Sequence, residues 1–328
     1  MDTAAMEAEI FLHVTWWNAC PQPARLLLLS AALPVEAAAF AAHSNAMEGV
    51  PTLSAADTAA MVLLSLTHPP HHDLASRAAL STYTAHRLAH AFRSQRAAAG
   101  APVDELLWHL PEVLAVHREL MRGLHPRAGR LRTCNVQPAD RAAPYPPFAA
   151  VPSTAMSLFD ACNARALGVL EETEVGEGVK EEEESALDED GALREEECKR
   201  LLSAPPPAPT ARGIDARAVG PVARLAAWLA AHLLELHPFA DGNGRLARIL
   251  VDALLAAVHP LPVPLVPQGC SLQDARVRYL AALREVPPWG AQGSTGWALE
   301  PTALTDLVLG SLVASWRRLR GQGSACGP

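Results

Sequence analysis

His237-Pro238-Phe239-Ala240-Asp241-Gly242-Asn243-Gly244-Arg245-Leu246-Ala247-Arg248 is the stretch that decides how this chain folds. Apolar residues recur at helical spacing on both sides of it, which predicts a loop held between two buried helices. The chain is 50% hydrophobic and 5% aromatic, a balance that favours helices over strands and a mainly α fold class. The first stripe consists of Val222, Leu225, Leu229, Leu233 and Leu236, and the second of Leu246, Ile249, Leu250, Ala253, Leu254 and Ala257.

The second half of this stretch has the composition of an anion site. Gly242 and Gly244 permit backbone angles that other residues resist, and they let a ligand approach the main chain. The loop leads into a helix N-terminus, where free N–H groups and the helix dipole attract anions. Arg245 and Arg248 are three residues apart and therefore project from one side of the first turn. Two guanidinium groups beside such a site predict a polyphosphate ligand.

The first half supplies groups for chemistry on a phosphate. A carboxylate such as Asp241 is a common Mg²⁺ anchor beside phosphates, and Asn243 can donate an amide hydrogen to a phosphate oxygen. His237 is placed to take a proton from an incoming hydroxyl. Taken singly, Asp241 is a helix cap and His237 a structural histidine, but their joint occurrence favours phosphoryl or nucleotidyl transfer. Phe239 is interpreted as an apolar plug that fixes the loop.

These twelve residues match all eight specified positions of the motif H-x-F-x-[D/E]-G-N-G-R-x-x-R, so the chain resembles the Fic (Fido) family. The resemblance covers roughly residues 106–286, apart from an acidic insertion. It implies a Fic-like helical bundle with one small β-hairpin, the flap. It also implies transfer of AMP from ATP, with Mg²⁺, to a Tyr, Thr or Ser hydroxyl of a protein.

The resemblance also implies a role for each motif position. His237 would be the base, Asp241 would hold Mg²⁺, and Arg245 and Arg248 would hold the distal phosphates. Tyr279 would lie near the adenosine. The remaining nucleotide-binding positions are Gly242, Asn243 and Gly244, which would form the anion hole, and Leu246 and Ala247.

Three further segments are assigned by the same resemblance. The flap, about 129–148, would dock the protein target by β-augmentation. Asp252 stands where relatives often have Asn, and we expect this difference to affect packing or helix charge. Ser44 and Glu48 lie in Ser44-Asn45-Ala46-Met47-Glu48-Gly49, which resembles the inhibitory motif [S/T]-x-x-x-E-[G/N]. A carboxylate at a helix C-terminus benefits from a cationic partner, and Arg248 would be that partner, in competition with the γ-phosphate.

The remaining chain divides by composition. An N-terminal helical region, 1–105, contains the inhibitory helix at about 34–48, which begins at Pro34. The core, 106–286, is interrupted at 171–211 by an acidic and proline-rich insertion or linker, and 287–328 form a C-terminal helix and tail. Further helices are predicted at about 54–66, 74–99, 103–124 with an interruption at Pro111, 152–166, 215–236, 273–285 and 302–320.

Charge and cysteine content limit the classes of partner and the compartment that we expect for this protein. The net charge is −8, the acidic residues cluster in the insertion, and no basic stripe indicates nucleic-acid binding. Six separated cysteines are typical of a reducing compartment, and the apolar run 26–33 is short for a bilayer, so we expect a cytoplasmic protein without a membrane partner. A metal site at His68, His71 and His72 is weighed against a polar loop, which we favour.

Several alternatives stay open at this stage. A homodimer is one. Others are removal of AMP by the same site, other donors such as UTP or a CDP-linked group, and a nucleotide-binding regulatory protein whose catalysis has lapsed.

Overall fold

The structure is a computed structural model that describes residues 2–50, 53–65, 73–99, 106–137, 144–171, 195–203, 213–267, 269–287, 297 and 300–323. Eleven α-helices form within these residues, with short 3₁₀ turns between some of them, and they confirm a mainly helical fold. In chain order the helices are α1 Thr3–Ala19, α2 Gln22–Met47, α3 Ala55–Ser65, α4 Leu74–Ala99, α5 Leu110–Leu120, α6 Val151–Glu171, α7 Glu195–Ser203, α8 Val219–Leu236, α9 Asn243–Leu255, α10 Leu272–Arg284 and α11 Thr302–Gly323.

The two predicted apolar stripes form α8 and α9, which pack against each other at the centre of the molecule. Apart from Ala257, which follows α9 and is partly buried, the stripe residues are almost completely buried, as are Trp228 on α8 and Phe239 in the loop between the helices. Helices α6 and α11 pack on α8, while α4 and α5 pack on α9. The loop 237–242 is therefore fixed at both ends by the most buried helices of the chain.

The N-terminal region is helical from Thr3, and α2 is longer than predicted. Pro34 lies inside α2 and does not begin it. Proline removes one main-chain hydrogen bond from a helix. Both Pro34 and Ser30, whose carbonyl loses its donor, are exposed, so water can take the place of the missing N–H. The predicted end is confirmed, because Gly49 adopts φ +69° directly after the cap residue Glu48.

Two other boundaries differ from the sequence predictions. Helix α5 begins at Leu110, whereas the predicted start near Val103 lies outside the described residues. Pro111 lies in the first turn of α5, where a missing N–H costs nothing. The His109 N–H donates to Glu112 Oε2 at 3.2 Å and closes this start. The segment 171–211 is not linker throughout, because α7 lies inside it and packs on α4 with Cys198 buried.

The predicted β-hairpin is not seen in the part of the chain that the structure describes. The flap arms, residues 129–137 and 144–147, have irregular backbone. Side chains connect them: Arg132 Nη2 donates to Pro146 O, and Asn135 Oδ1 accepts from Phe148 N at 2.9 Å. Three prolines in the second arm have no N–H to donate, which prevents a regular ladder of main-chain hydrogen bonds. His68, His71 and His72 lie outside the described residues.

Two helical segments meet the length and composition of a membrane span, namely α2, with mean hydropathy 1.6, and Ala216–Leu236, with mean hydropathy 1.2. The second is a core helix of this fold, since 83% of its apolar window is buried. The apolar run 26–33 lies within the first segment, which is a continuous helix of 26 residues. One side of α2 packs on α3 and α4, whereas Leu27 and Val35 are exposed.

Candidate active site

His237 stands at the C-terminal end of α8 in a strained backbone conformation. Its φ of 48° and ψ of 60° are left-handed, and it is the single non-glycine residue with positive φ in the described chain. Its N–H donates to Leu233 O at 3.0 Å and ends the helix. Residues other than glycine occupy this region at an energetic penalty, and such strain is typical of functional sites.

The imidazole of His237 is held in the neutral form. Burial lowers its pKa to about 4, an effect that outweighs the contact with Leu234 O, which acts in the opposite direction. The ring Nδ1 lies 3.4 Å from Leu234 O, a geometry that favours a proton on Nδ1 and a free lone pair on Nε2. The ring of Tyr145, from the second flap arm, stacks on the imidazole with centroids 4.0 Å apart and contributes to this burial.

The side chain of Asn243 closes the motif loop. Its Oδ1 accepts from Phe239 N at 3.0 Å, and its Nδ2 donates to Phe239 O at 2.9 Å. Both residues are almost fully buried. The amide therefore lies against the main chain of Phe239, whereas the sequence led us to expect it at a phosphate. The interpretation of Phe239 as an apolar plug agrees with its burial.

His117, which the sequence analysis missed, connects three parts of the site. Its ring stacks on Phe239 with centroids 3.7 Å apart. Nδ1 accepts from Gly129 N at 3.0 Å, so Nε2 carries the proton and donates to Asp241 O at 2.9 Å. Burial lowers the pKa of His117 to about 4, which keeps this arrangement intact at neutral pH. Its position on the inner face of α5 was the one available sequence signal.

Glycine is required at the two motif positions for different structural reasons. Gly242 adopts φ +81°, and a Cβ there would lie 2.7 Å from Met121 Sδ. Gly244 lies in the first turn of α9, and a Cβ there would lie only 2.0 Å from Glu48 Oε1. A carboxylate oxygen thus occupies the space above the N-terminus of α9, where an anion is favoured. The predicted anion site and the predicted partner glutamate meet at this point.

Asp241 is suited to hold a cation at the edge of the site. Its Oδ1 accepts from Gly242 N at 2.6 Å, which fixes the carboxylate. The side chain is 62% exposed, and Oδ2 lies 3.8 Å from Arg245 Nη2. A single exposed carboxylate next to an anion site fits Mg²⁺, which takes its remaining ligands from phosphate oxygens and water.

Arg245 has a buried guanidinium with few acceptors. Its Nη2 contacts Met121 Sδ at 3.2 Å, while Nε and Nη1 have no hydrogen-bond partner among the described residues. Burial lowers its pKa from the usual arginine value and outweighs the opposing charges of Asp241 and Glu48, which reflects the penalty of burying a charge. A bound anion next to Asp241 would relieve this penalty.

Arg248 is engaged by the end of α2. Its Nη2 donates to Ser44 O at 2.7 Å and to Glu48 Oε1 at 2.8 Å, and its Nε donates to Ser44 Oγ at 3.2 Å. Arg248 is 3% exposed, whereas the Glu48 side chain is 37% exposed. The sequence-predicted pair between Glu48 and Arg248 is present, and Ser44 takes part through both its main chain and its hydroxyl.

Three residues predicted to contact nucleotide are placed in the protein interior. The side chains of Leu246 and Ala247 are 0% and 1% exposed, because they point from α9 into the core. Tyr279 is 3% exposed. The centroid of its ring lies 5.8 Å from Cζ of the Arg248 guanidinium, which stands over the ring. Burial raises the pKa of Tyr279 to about 12, so its phenol is uncharged. The three side chains support the site from behind.

The first flap arm is pinned to the motif by Arg132, which is 2% exposed. Its N–H donates to Pro238 O at 2.9 Å, and its Nε donates to His237 O at 2.8 Å. Its Nη1 donates to Cys134 O at 3.1 Å, and its Nη2 reaches Pro146 O in the other arm. One arginine thus joins both flap arms to the main chain of the histidine.

Comparison with known proteins agrees with this geometry. Residues 170–255 match a sequence model of the Fic/DOC family. A Fido domain-containing protein of Dictyostelium discoideum is 48% identical over 42 residues, a match that spans 12% of this chain and 29% of that protein.

Solved structures show the fold over almost the whole chain. A fragment of Fic-1 from C. elegans superposes with a TM-score of 0.61 and 19% identity, covering 98% of this chain and 73% of the other. A Fic domain-containing signaling protein from Bacteroides thetaiotaomicron superposes with a TM-score of 0.60 and 16% identity, covering 96% and 97%. Both include the N-terminal helices in the shared architecture.

Proposed function

This chain carries a domain of the Fic/DOC (Fido) family, and on that premise we propose that it is a protein adenylyltransferase whose activity is restrained by Glu48. One observation carries the proposal. The carboxylate of Glu48 lies in the anion site at the N-terminus of α9, against Gly244 and 2.8 Å from Arg248 Nη2. An anion site with a complete catalytic set beside it, filled by the protein's own carboxylate, fits a nucleotide enzyme in a resting state.

The reaction is transfer of AMP to a hydroxyl of the target. Nε2 of His237 takes the proton of a Tyr, Thr or Ser hydroxyl, and the oxygen attacks the α-phosphorus of ATP. The bond from that phosphorus to the bridging oxygen breaks, and pyrophosphate leaves. Neutral imidazole is the form that accepts a proton, which agrees with the lowered pKa of His237.

Other motif residues bind the polyphosphate. Arg245 lies at the anion site with unpaired N–H donors, and α9 offers its free N-terminal N–H groups. Asp241 would hold Mg²⁺, which neutralises phosphate charge when it is bound. Arg248 becomes available to the γ-phosphate once Glu48 leaves. In the restrained state, Arg248 is therefore not available to ATP, and the Glu48 carboxylate places a negative charge in the site that the γ-phosphate would occupy.

The target protein docks at the flap in this proposal. The first flap arm borders a groove of about 680 Å³ that is lined by Leu131, Thr133, Met156 and Phe159, among others. Met156 is 58% exposed and gives the groove an apolar wall open to solvent. An apolar side chain of the target, next to the modified hydroxyl, is the natural occupant.

The direct test is self-labelling with ATP that carries the label at the α or the γ position. We expect Glu48→Gly to raise α-label incorporation by roughly 10- to 100-fold, the range of a typical coupling energy between two sites. His237→Ala in the Glu48→Gly background abolishes the signal. Label from γ alone would indicate a kinase and contradict the proposal, and no label in any form would favour a nucleotide-binding regulator.

Two matched variants isolate the role of the carboxylate. Glu48→Gln keeps the size of the side chain and removes its charge, and we expect it to activate nearly as well as glycine. Glu285→Gly changes a glutamate at the equivalent cap position of α10. It should leave labelling unchanged. Unchanged activity of Glu48→Gly at saturating ATP would disprove the restraint.

Removal of AMP from a modified protein is the second candidate. The partly exposed carboxylate of Glu48 stands beside the motif, where it could orient a water molecule. Incubation with an AMPylated protein separates the two directions: release of AMP that depends on both Glu48 and His237 would favour the hydrolytic reaction.

A further inference from the structure

A cluster of three ligand-type side chains lies between α4 and α9. His86 and His90 are one turn apart on α4, and Asp252 is one turn beyond Arg248 on α9. The Nε2 atoms of the two histidines lie 2.7 and 2.8 Å from the same oxygen, Asp252 Oδ2. All three candidate ligand atoms lie within 4.8 Å of one another.

The cluster is buried and its carboxylate is oriented. Asp252 is 1% exposed, and the side chains of His86 and His90 are 5% and 23% exposed. The Val263 N–H donates to Asp252 Oδ1 at 2.5 Å, which directs Oδ2 towards the histidines. Metal sites commonly orient a ligating carboxylate with a second hydrogen bond of this kind.

The charge of Asp252 has no fixed cationic partner in the described part of the chain. Its ion-pair contacts there are the two histidines. A divalent ion bound between the three side chains would place a fixed positive charge next to this buried carboxylate.

We propose that His86, His90 and Asp252 form a binding site for one divalent transition metal ion, with Zn²⁺ as the best fit. Two imidazoles and one carboxylate are a preferred ligand set of Zn²⁺, and three protein ligands leave a fourth position for water. Histidines at i and i+4 present their rings on one face of a helix. Mg²⁺ and Ca²⁺ fit less well, because they prefer oxygen ligands.

The geometry needs a small opening to accept the ion. Tetrahedral ligands at about 2.0–2.2 Å from Zn²⁺ lie about 3.3 Å apart, so the histidine nitrogens must move away from Asp252 Oδ2 by about half an ångström. Side-chain torsions allow this movement. Partial exposure of His90 gives the ion and its water a path from solvent.

The site would connect the N-terminal helices to the motif helix. Helix α4 also supports the end of α2, because Thr82 Oγ1 donates to Asn45 Oδ1 at 2.9 Å. A metal ion would therefore join α4, which supports the end of α2 next to Glu48, to α9, which carries Arg248. This inference is independent of the nucleotide chemistry, because none of the three ligands belongs to the motif loop.

The test is metal binding by the full chain after treatment with a chelator. Zn²⁺ is titrated in competition with a chromophoric chelator, and Co²⁺ is followed by its visible absorption. We expect one ion per chain, a tetrahedral Co²⁺ spectrum without thiolate charge transfer, and a higher unfolding temperature with Zn²⁺. No binding at equimolar metal and micromolar protein would overturn the site and leave two histidines hydrogen-bonded to Asp252.

Variants assign the ligands. Asp252→Asn keeps the shape of the side chain, and His90→Ala removes one proposed ligand. Each variant alone should reduce Zn²⁺ affinity at least tenfold and retain the helical circular dichroism spectrum. Unchanged affinity in both variants would overturn the proposal. The matched control replaces His68, His71 and His72 with alanine together, and binding should persist. Loss of binding in this control would assign the ion to that segment instead.

Discussion

The motif loop, residues 237–242, begins at His237, and the flap arms pack against that residue. The loop and the flap arms keep their shapes by different contacts. The loop is closed over four residues by the amide of Asn243 on the main chain of Phe239. The flap arms have no regular main-chain pairing in the described residues and are joined by the side chain of Arg132. The comparison teaches that the loop is closed by contacts within four residues, whereas the flap arms depend on side-chain contacts with residues farther along the chain.

Asn243→Ala tests the loop and has the largest expected effect. It removes two buried hydrogen bonds and leaves the Phe239 N–H and C=O unpaired, so the free energy of unfolding should fall by about 2–4 kcal/mol. Labelling with ATP in the Glu48→Gly background should fall by about 100-fold or more, because the loop positions the base and the anion site. Chemical denaturation and the labelling rate measure the two effects.

A matched control exists for this change. Asn18 makes the same pair of contacts with the main chain of Ile214, at 2.8 and 2.9 Å, far from the motif. Asn18→Ala should lose stability but keep its labelling rate at a temperature where it is folded. Equal losses of activity in the two variants would show that the closure of the loop has no special role.

Arg132→Lys tests the flap and should act more weakly. Lysine cannot reach all three carbonyls that the guanidinium contacts, so both arms loosen. We expect the labelling rate at saturating ATP to fall about tenfold, with the KM for ATP nearly unchanged, because the flap orients the acceptor and not the nucleotide. Arg130→Lys, in the same arm but at an exposed position, is the control. A large rise in the KM for ATP would contradict this division of roles.

The pH dependence of kcat/KM is the smallest expected effect and reports the burial of His237. An ordinary histidine, with a pKa of about 6.5, would lose about tenfold of its neutral form between pH 7.5 and 5.5. With its pKa lowered to about 4, His237 stays neutral across this range, so its titration should change the rate by less than about 1.5-fold. The Glu48→Gly background does not weaken the test, because the Glu48 charge raises this pKa and its removal lowers it further.

The same shift has a consequence for stability. The unfolded chain takes up a proton at His237 below about pH 6.5, but the folded chain does so only near pH 4. The folded state is therefore destabilised as the pH falls through this window. An acidic limb of kcat/KM centred near pH 6.5, in a protein that is still folded there, would contradict the buried position of the base.

Where sequence predictions were wrong, the cause was tertiary. Pro34 was expected to start a helix, but the exposed surface of α2 tolerates it inside. The side chains of Leu246 and Ala247 point into the core, because α9 packs on α8, so their predicted role at the nucleotide stays a prediction that concerns the main chain. The predicted β-hairpin is not seen in the described residues, because the proline-rich second arm lacks the N–H donors that a ladder requires.

The sequence by itself determined what depends on neighbouring residues. It predicted the paired helices, the glycines at the turn, the motif and its likeness to the Fic family, because helical periodicity and turn chemistry are local properties. It also predicted a partner for Arg248 at Glu48.

Only the tertiary structure decided the contacts between segments far apart in the chain. These include His117 against Asp241 and Gly129, and His86 and His90 against Asp252, 162 or more residues away. The physical reason is that a single side chain carries no record of its distant partner until packing brings the two together. The motif loop could thus be read from twelve residues, whereas the groups that position it required the fold.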